Sequence, residues 1–358
     1  MSKVRVAIIG TGGIAGKHAE VLQNELNDAQ IVAAVDVREE AVKAFTERFN
    51  IPAYYTDVDT LLAQEKPDIV HICTPPNLHT ELSIKALEAG SWVLCEKPLA
   101  ASLKELDMLA EAEERTGRYV SSVYQWRFGN GAQHLKKLID TNAMGKPTIG
   151  ICQTTWYRDD AYYAVPWRGT WKSELGGCSM GHGIHLMDLY LWLYGPWQEV
   201  TAKIGTLDHD IEVEDVSMAL VNFENGAMGT MINSVVSPRQ ETYLRMDFQN
   251  ATVELKGLYS YKNDQWVYSS YDGNNHAENL KSWSTLADES LSIFGSQVRH
   301  HIDCFKSGER PLTSGYGARM TLEFITSMYK SAMTGQSVKR GSIQKGDPFY
   351  ESMNGDAS

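Results

Sequence analysis

The feature that most constrains this chain is a continuous apolar run, Val4–Ile9, that stops at the glycine-rich turn Gly10-Thr11-Gly12-Gly13-Ile14-Ala15. An unbroken apolar run of this kind is what a strand buried on both faces of a parallel sheet requires. The turn fits G-x-G-x-x-A and opens a helical pattern at about Ile14. In such a turn Gly10 permits the tight bend, Gly12 lets the backbone approach a pyrophosphate, and Ala15 keeps the helix close to its strand. Thr11, Gly13 and Ile14 complete the cradle, with the helix N-terminus offering free N–H donors to phosphates. A lone glycine turn also serves as a plain connector, so a second signal is needed. Asp36 supplies it at the end of the second strand, where a carboxylate accepts hydrogen bonds from a ribose diol and repels a 2′-phosphate. The bland alternative makes Asp36 a solvated loop residue. Val37 and Arg38 follow, and a guanidinium at Arg38 pulls the other way, towards a 2′-phosphate. The cofactor expectation is therefore NAD, with NADP not excluded.

The first third alternates strand and helix patterns. Strands are expected at Val4–Ile9, Ile31–Val35, Ala53–Tyr55, Ile69–Cys73, Trp92–Leu94 and Tyr119–Val123, and helices at Glu39–Phe49, His79–Ala89 and Leu103–Thr116. This alternation predicts a doubly wound α/β domain over residues 1–123. After Tyr124 the texture changes to β-branched and aromatic runs at Pro147–Tyr157, Glu199–Gly205, Val216–Phe223, Met228–Val236, Leu244–Phe248, Thr252–Lys256 and Gln265–Ser269. Turns such as Glu224-Asn225-Gly226 favour hairpins, and helices are expected at Ser290–Lys306 and Ala318–Thr334. The expected architecture is a Rossmann domain followed by an α+β domain (124–341) on a large, mainly antiparallel sheet, with a frayed tail over 342–358.

Composition closes off other classes. A net charge of −12 leaves no basic footprint for nucleic acid and makes a poor match for anionic membranes. The longest apolar stretch, Leu186–Trp197, is broken by Asp188 and Gly195 and is too short to span a bilayer. Five scattered cysteines form no CxxC pair, so neither a disulfide framework nor a structural zinc site is indicated. The expected location is the cytoplasm.

Three further motifs carry a resemblance. Thr74-Pro75-Pro76-Asn77-Leu78-His79 follows one strand, Cys95-Glu96-Lys97-Pro98-Leu99-Ala100 follows the next, and Gly176-Gly177-Cys178-Ser179-Met180-Gly181-His182-Gly183-Ile184-His185-Leu186-Met187-Asp188 lies further on. Together with the glycine turn, over nearly the whole chain, they resemble the Gfo/Idh/MocA family of oxidoreductases, named for glucose–fructose oxidoreductase and inositol dehydrogenase. The resemblance implies a cis Pro98 and a nicotinamide near Glu96, Lys97 and the Thr74, Pro75, Pro76, Asn77 and His79 segment. It implies that Lys97 is the catalytic lysine of E-K-P, its ammonium steadying a developing alkoxide or its amine taking a proton. It implies that His185 is the catalytic histidine, since imidazole titrates near neutral pH. The bland alternatives are a Glu96–Lys97 surface pair and an inert core histidine.

One position departs from the family pattern: many members carry an aspartate four residues before the histidine, and here it is Gly181. His182 can replace it as a substrate contact and Asp188, on the same helix face as His185, can orient that imidazole, and both roles together are expected, with Asp188 also counted at the substrate site. His182, His185 and Asp188 also have residue types that bind zinc, but nothing else clusters with them and no metal is expected. Substrate contacts are expected from Arg127 in the Tyr124-Gln125-Trp126-Arg127-Phe128 crossover, and from the Trp156-Tyr157-Arg158, Tyr162-Tyr163 and Trp167-Arg168 cluster, chiefly Tyr163, Trp167 and Arg168. Gln125 is expected on the cofactor. Aromatic faces stack on sugar rings while Arg and Tyr donate to hydroxyls or a carboxylate; the same residues also make interfaces. The expected function is hydride transfer between a nicotinamide and a hydroxyl-bearing carbon of a sugar or polyol, in a homodimer or homotetramer. The alternatives are an NAD-dependent glycosidase working by transient oxidation, and a non-catalytic NAD(P)-binding regulator.

Overall fold

The computed structural model describes residues 3–271, 277–289 and 291–356. Ser290 of the expected Ser290–Lys306 helix and the last two residues of the expected tail lie outside them. The chain forms two compact units, Met1–Val123 with Phe294–Arg319, and Tyr124–Ile293 with Met320–Ser358.

In the first unit the strands are β1 (Val4–Ile9), β2 (Ala29–Val35), β3 (Tyr54–Tyr55), β4 (Ile69–Ile72), β5 (Trp92–Cys95) and β6 (Val120–Ser122). They pair parallel in the order β3-β2-β1-β4-β5-β6. The helices between them are α1 (Gly13–Asn24), α2 (Glu39–Phe49), α3 (Val58–Glu65), α4 (His79–Glu88) and α5 (Leu103–Thr116). The chain reverses direction across the sheet between β1 and β4, and ligands of such sheets lie outside the strand C-termini at that switch point. There Gly10 has φ +86°, and a Cβ on it would stand 2.8 Å from the Cys73 carbonyl oxygen, so only glycine lets β1 turn this close to β4.

The second unit contains α6 (Asn130–Asp140), β7 (Pro147–Tyr157), α7 (Asp160–Tyr163), a π-helical turn at Ser179–Gly183 that runs into α8 (Ile184–Tyr194), and strands β8 (Trp197–Gly205) to β13 (Trp266–Ser269). Between these ends lie β9 (Val216–Phe223), β10 (Met228–Ser234), β11 (Val236–Phe248) and β12 (Thr252–Gly257), followed by α9 (Ala277–Ser284). The sheet order is β13-β12-β11-β7-β10-β9-β8-β14, where β14 is Val338–Lys339, and every pair is antiparallel except β10 with β7. Gly150 and Gly229 are neighbours across β7 and β10, and a Cβ on either would stand about 2 Å from Tyr190 Oη (1.9 and 2.1 Å). Two bare backbones thus form the seat that lets α8, through Tyr190, lie close on the sheet.

Two helices close the chain. In α10 (Ile293–Ser307), Phe294, Val298, Ile302 and Cys304 join the apolar core of the first unit, and Trp92 packs edge-on against Tyr119, His301 and Phe305. Residues 294–319 therefore belong with the first unit, although the expected second domain ran unbroken over 124–341. α11 (Tyr316–Thr334) leads into the second unit. The expected frayed tail is a correction. Its Gly/Ser/Asp-rich composition hides buried Ile343, Phe349, Tyr350 and Met353, a short helix α12 (Pro348–Glu351), and an ion pair from Lys330 to Asp347. Four buried apolar side chains are enough to hold a segment of this length. Among the described residues no helix is long and apolar enough to cross a membrane.

Gly150→Ala is expected to lift Tyr190 off its seat and destabilise the protein by about 1–3 kcal/mol, the usual cost of overpacking. Denaturant unfolding of Gly150→Ala beside Gly90→Ala, whose Cβ meets nothing within 4 Å but whose φ is +94°, separates the packing cost from backbone strain. An unfolding midpoint unchanged by Gly150→Ala would contradict the close seating of α8.

Candidate active site

The nucleotide end of the first unit is built from local requirements. Gly12 is the N-cap residue of α1 and supplies no side-chain cap, so the first-turn N–H groups are left for a ligand. A Cβ at Gly12 or Gly13 would meet nothing within 4 Å, so the space before them is open. Ile14 is half-exposed and Val37 is largely exposed. Ala15 is fully buried and its N–H bonds Gly12 O, so it packs the helix against its strand. Asp36 is held on both oxygens: Oδ2 accepts from Thr11 N and Oγ1, each at 2.9 Å, and Oδ1 accepts from Arg38 N at 3.0 Å. Arg38 Nε pairs with the same Oδ1 at 3.3 Å. Burial raises the Asp36 carboxyl, but the hydrogen bonds from Arg38 and Thr11 outweigh it and hold it below the usual range. Asp36, held below the usual range, carries a charge that disfavours a 2′-phosphate. An open helix start and an oriented carboxylate fit the pyrophosphate and adenosine ribose of NAD.

The other cofactor candidates sit at the C-terminal ends of β4 and β5. Thr74 is half-buried, Pro75 and Asn77 are exposed, and Pro76 is buried in a short 3-10 turn. His79 is fully buried between two carbonyl oxygens, Pro98 O at 2.6 Å from Nδ1 and Thr74 O at 2.9 Å from Nε2. It ties together the two turns expected to border the nicotinamide. The Lys97–Pro98 bond is cis. Lys97 is half-buried, and its N–H donates to Glu96 Oε2 at 3.2 Å. Glu96 Oε1 lies 3.0 Å from His18 Nε2, and His18 Nδ1 lies 2.9 Å from His71 Nδ1. A buried His71–His18–Glu96 chain therefore stands behind E-K-P. Nothing in the sequence pattern marked His18 or His71, since each falls on an apolar face. Gln125 is half-buried in the second unit.

In the second unit the glycine-rich approach to α8 folds around a buried carboxylate. Glu214 accepts from Gly177 N (2.9 Å), Ser179 N (3.0 Å) and Tyr329 Oη (3.0 Å), and burial pushes its carboxyl up. The turn delivers His182, buried, and His185, half-buried. Both line a small, open recess, together with Trp126, Thr154, Trp156, Leu186, Thr242 and Tyr259. The Thr242 hydroxyl accepts from Trp156 Nε1 and donates to Leu258 O. Thr154 Oγ1 is buried with no partner among the described residues, so it is available to a ligand hydroxyl. Beside Gly181, Glu174 Oε1 stands 3.5 Å from where a Cβ would be, so a carboxylate from another segment adjoins the position where the family aspartate is missing.

Asp188 and Arg127 pair with each other. Arg127 Nε donates to Asp188 Oδ2 at 2.7 Å and Nη2 to Oδ1 at 2.5 Å, Thr321 Oγ1 donates to Oδ1 at 2.7 Å, and both charged groups are buried. Asp188 makes no hydrogen bond to His185; the pair fixes α8. Arg168 pairs with Glu174 at 3.2 Å and lies 3.7 Å from the Tyr162 ring centre and 4.4 Å from that of half-buried Trp167. Tyr163 stacks on His209 with ring centres 4.8 Å apart, and burial pushes its phenol up. Among the described residues no group of three or more His, Cys, Asp or Glu is placed to hold a metal.

Arg127→Met is expected to cost about 3–5 kcal/mol, because it leaves the buried Asp188 carboxyl without its partner. The Arg127→Met/Asp188→Leu double variant is expected to recover part of this. A double-mutant cycle in denaturant that gives no coupling would contradict the pairing.

Residues 4–124 match the oxidoreductase family with NAD-binding Rossmann fold, and residues 132–254 match the GFO/IDH/MocA C-terminal domain. The chain is 25% identical to a myo-inositol 2-dehydrogenase from Thermotoga maritima over 94% of this chain and 98% of that protein. It is 25% identical to a D-apiose dehydrogenase from Paraburkholderia graminis over 100% and 95% of the two chains. Among solved structures it superposes on the WlbA dehydrogenase from Chromobacterium violaceum, crystallised with NADH and UDP-GlcNAcA, with a TM-score of 0.84 and 28% identity over 95% and 96% of the two chains. The two-sheet architecture, the glycine turn with Asp36 and the E-K-P and G-x-H segments agree with these matches, and the chain belongs to the Gfo/Idh/MocA family of NAD-dependent oxidoreductases acting on CH–OH groups.

Proposed function

We propose that this protein interconverts a secondary hydroxyl and a carbonyl on a sugar or polyol, with Lys97 and His185 as its acid–base residues. The observation that carries the reading is the recess around His185. It combines two imidazoles, an unpartnered threonine hydroxyl and aromatic faces, in a chain that also carries a dinucleotide turn. Aromatic walls with a few fixed polar groups are what a sugar ring requires. That inositol and apiose dehydrogenases are among the relatives supports the same substrate class.

The residues divide the work. Gly12, Gly13 and the start of α1 take the pyrophosphate, and Asp36 takes the adenosine ribose. Thr74 and Asn77, on the turn that His79 holds, and Glu96 with Lys97, border the nicotinamide. NAD, when bound, supplies the acceptor for the hydride that leaves the carbinol carbon. His185 takes the hydroxyl proton as that carbon is oxidised, and the Lys97 ammonium stabilises the developing negative charge on the oxygen. His182 and Thr154 hold neighbouring hydroxyls. Afterwards His185 returns its proton to solvent.

The protein also acts as a homo-oligomer on this reading. Ile149, Met218, Leu220 and Met228 are each more than half exposed (53–62%). They share the face of the second sheet opposite α8, where Met228 pairs with Ile149, and Leu220 with Thr230. An apolar patch of this kind on a flat sheet marks an interface. The five cysteines are all free and buried, as in a reducing compartment, which supports the cytoplasm.

Lys97→Ala and His185→Ala are each expected to lower kcat by about 10²–10⁴-fold, the usual worth of one acid–base group, while NAD affinity stays within a few-fold. Initial rates at the reduced-nicotinamide absorbance band, over inositols, aldoses, sugar acids and glycosides, check this; an active Lys97→Ala would sink the assignment. For the interface, Leu220→Lys/Met228→Lys is expected to shift the solution mass, measured by light scattering, towards one chain. A wild type that already has the mass of one chain would contradict it.

A further inference from the structure

Arg158 is an unusual arginine for this chain. Its Nε donates to His182 Nε2 at 3.0 Å and its Nη1 to the Tyr157 carbonyl at 2.7 Å, with Tyr259 Oη at 3.5 Å. The Tyr162 hydroxyl is a further side-chain partner, and no carboxylate among the described residues pairs with the guanidinium. The guanidinium carbon lies 5.2 Å from the ring centres of both Trp156 and Tyr162 and 5.8 Å from that of Tyr259. Every other described arginine forms an ion pair with a carboxylate, except Arg118, which is exposed and bonds the Gly90 carbonyl. The carboxylates nearest to Arg158 in the chain and the cluster are spent elsewhere. Asp159 Oδ1 caps the Tyr162 N–H at 3.0 Å, and Glu174 pairs with Arg168.

This is the chemistry of an anion subsite. Three rings flank the half-buried guanidinium, and no protein carboxylate neutralises it. A planar fork suits a planar two-oxygen acceptor. His182, Trp156 and Tyr259, which it touches, all line the recess that holds His185. An anion on Arg158 therefore belongs to the same molecule as the hydroxyl in the recess. In a chain of net charge −12, such a local positive site is also needed if an acidic substrate is to approach.

We propose that Arg158 recognises a carboxylate on the substrate, so that the sugar oxidised here is an acidic one, a uronic or aldonic acid and not a neutral hexose or polyol. The inference rests on the assignment of the His185 recess as the substrate site. His182 accepts from Arg158 on Nε2, which leaves Nδ1 as its donor.

The test measures NAD reduction with matched substrates: glucose, glucuronate and glucose 6-phosphate, and N-acetylglucosamine with its C6 acid. Each is run with wild type, Arg158→Met and Arg158→Lys, after NAD titration shows that the variants bind cofactor. The expected result is that kcat/KM favours the acid of each pair in the wild type. Arg158→Met is expected to lower that acid-to-neutral ratio by about 10–100-fold, mainly through KM, the usual worth of a charge-assisted hydrogen bond. Arg158→Lys is expected to restore part of the ratio. A wild type that prefers the neutral partner, or a ratio that Arg158→Met leaves unchanged, overturns the inference and leaves the dehydrogenase reading standing. Preference for the 6-phosphate overturns the carboxylate assignment. Absence of NAD reduction with every substrate overturns the dehydrogenase reading, and this inference with it.

Discussion

The arrangement of the second unit depends on one buried ion pair. Arg127, in the crossover turn, grips Asp188 of α8 with two hydrogen bonds, and Thr321 of α11 adds a third. Burial alone would drive the Asp188 carboxyl towards its neutral form, and Arg127 opposes that. A charge this deep is tolerated only with its partner in place, so the crossover, α8 and α11 are locked in one relative position. The pair also accounts for the placement of the recess. His185 stands three residues before Asp188, so a helix pinned at Asp188 and seated through Tyr190 on Gly150 and Gly229 has little freedom to move the imidazole.

The first unit achieves a similar rigidity without buried charge pairs of that kind. Gly10 brings β1 against β4, His79 bridges the two turns that follow β4 and β5, and the His71–His18–Glu96 chain backs the lysine-bearing turn. A neutral His18 that donates from Nε2 to Glu96 accepts on Nδ1 from His71. In that arrangement the only nitrogen left without a partner is His71 Nε2, as a lone pair, which costs less than an orphaned donor. Burial holds the His71 imidazole well below its ordinary range.

Much of the fold was legible in the sequence, because periodicity reports which faces are buried. The six parallel strands and most of the antiparallel ones fall within a residue or two of the apolar runs that announce them, but β11 begins at Val236, eight residues before the expected Leu244. α3 and α6 were missed, since Val58–Glu65 is short and Asn130–Asp140 opens on Asn-Gly, which reads as a turn. The site was legible where a residue type has few uses in its context, as with Gly10, Asp36 and Lys97. It was not legible where a charged side chain finds its partner far along the chain. Asp188 and Arg127 look like site residues until one sees that, 61 positions apart, they neutralise each other. Glu174, Glu214 and the unpaired state of Arg158 are equally invisible, because which carboxylate reaches which guanidinium is decided by tertiary packing.

The central claim is that a carbinol hydrogen leaves with its electron pair to NAD while its hydroxyl proton goes to the protein. Following a sugar acid deuterated at the oxidised carbon tests it most directly, with the reduced cofactor and the product analysed by NMR. The account predicts one deuterium on the reduced nicotinamide per carbonyl formed and a slower rate than with the unlabelled sugar. Deuterium lost to solvent, or a released leaving group with no net reduced cofactor, would contradict it and point to transient oxidation followed by elimination.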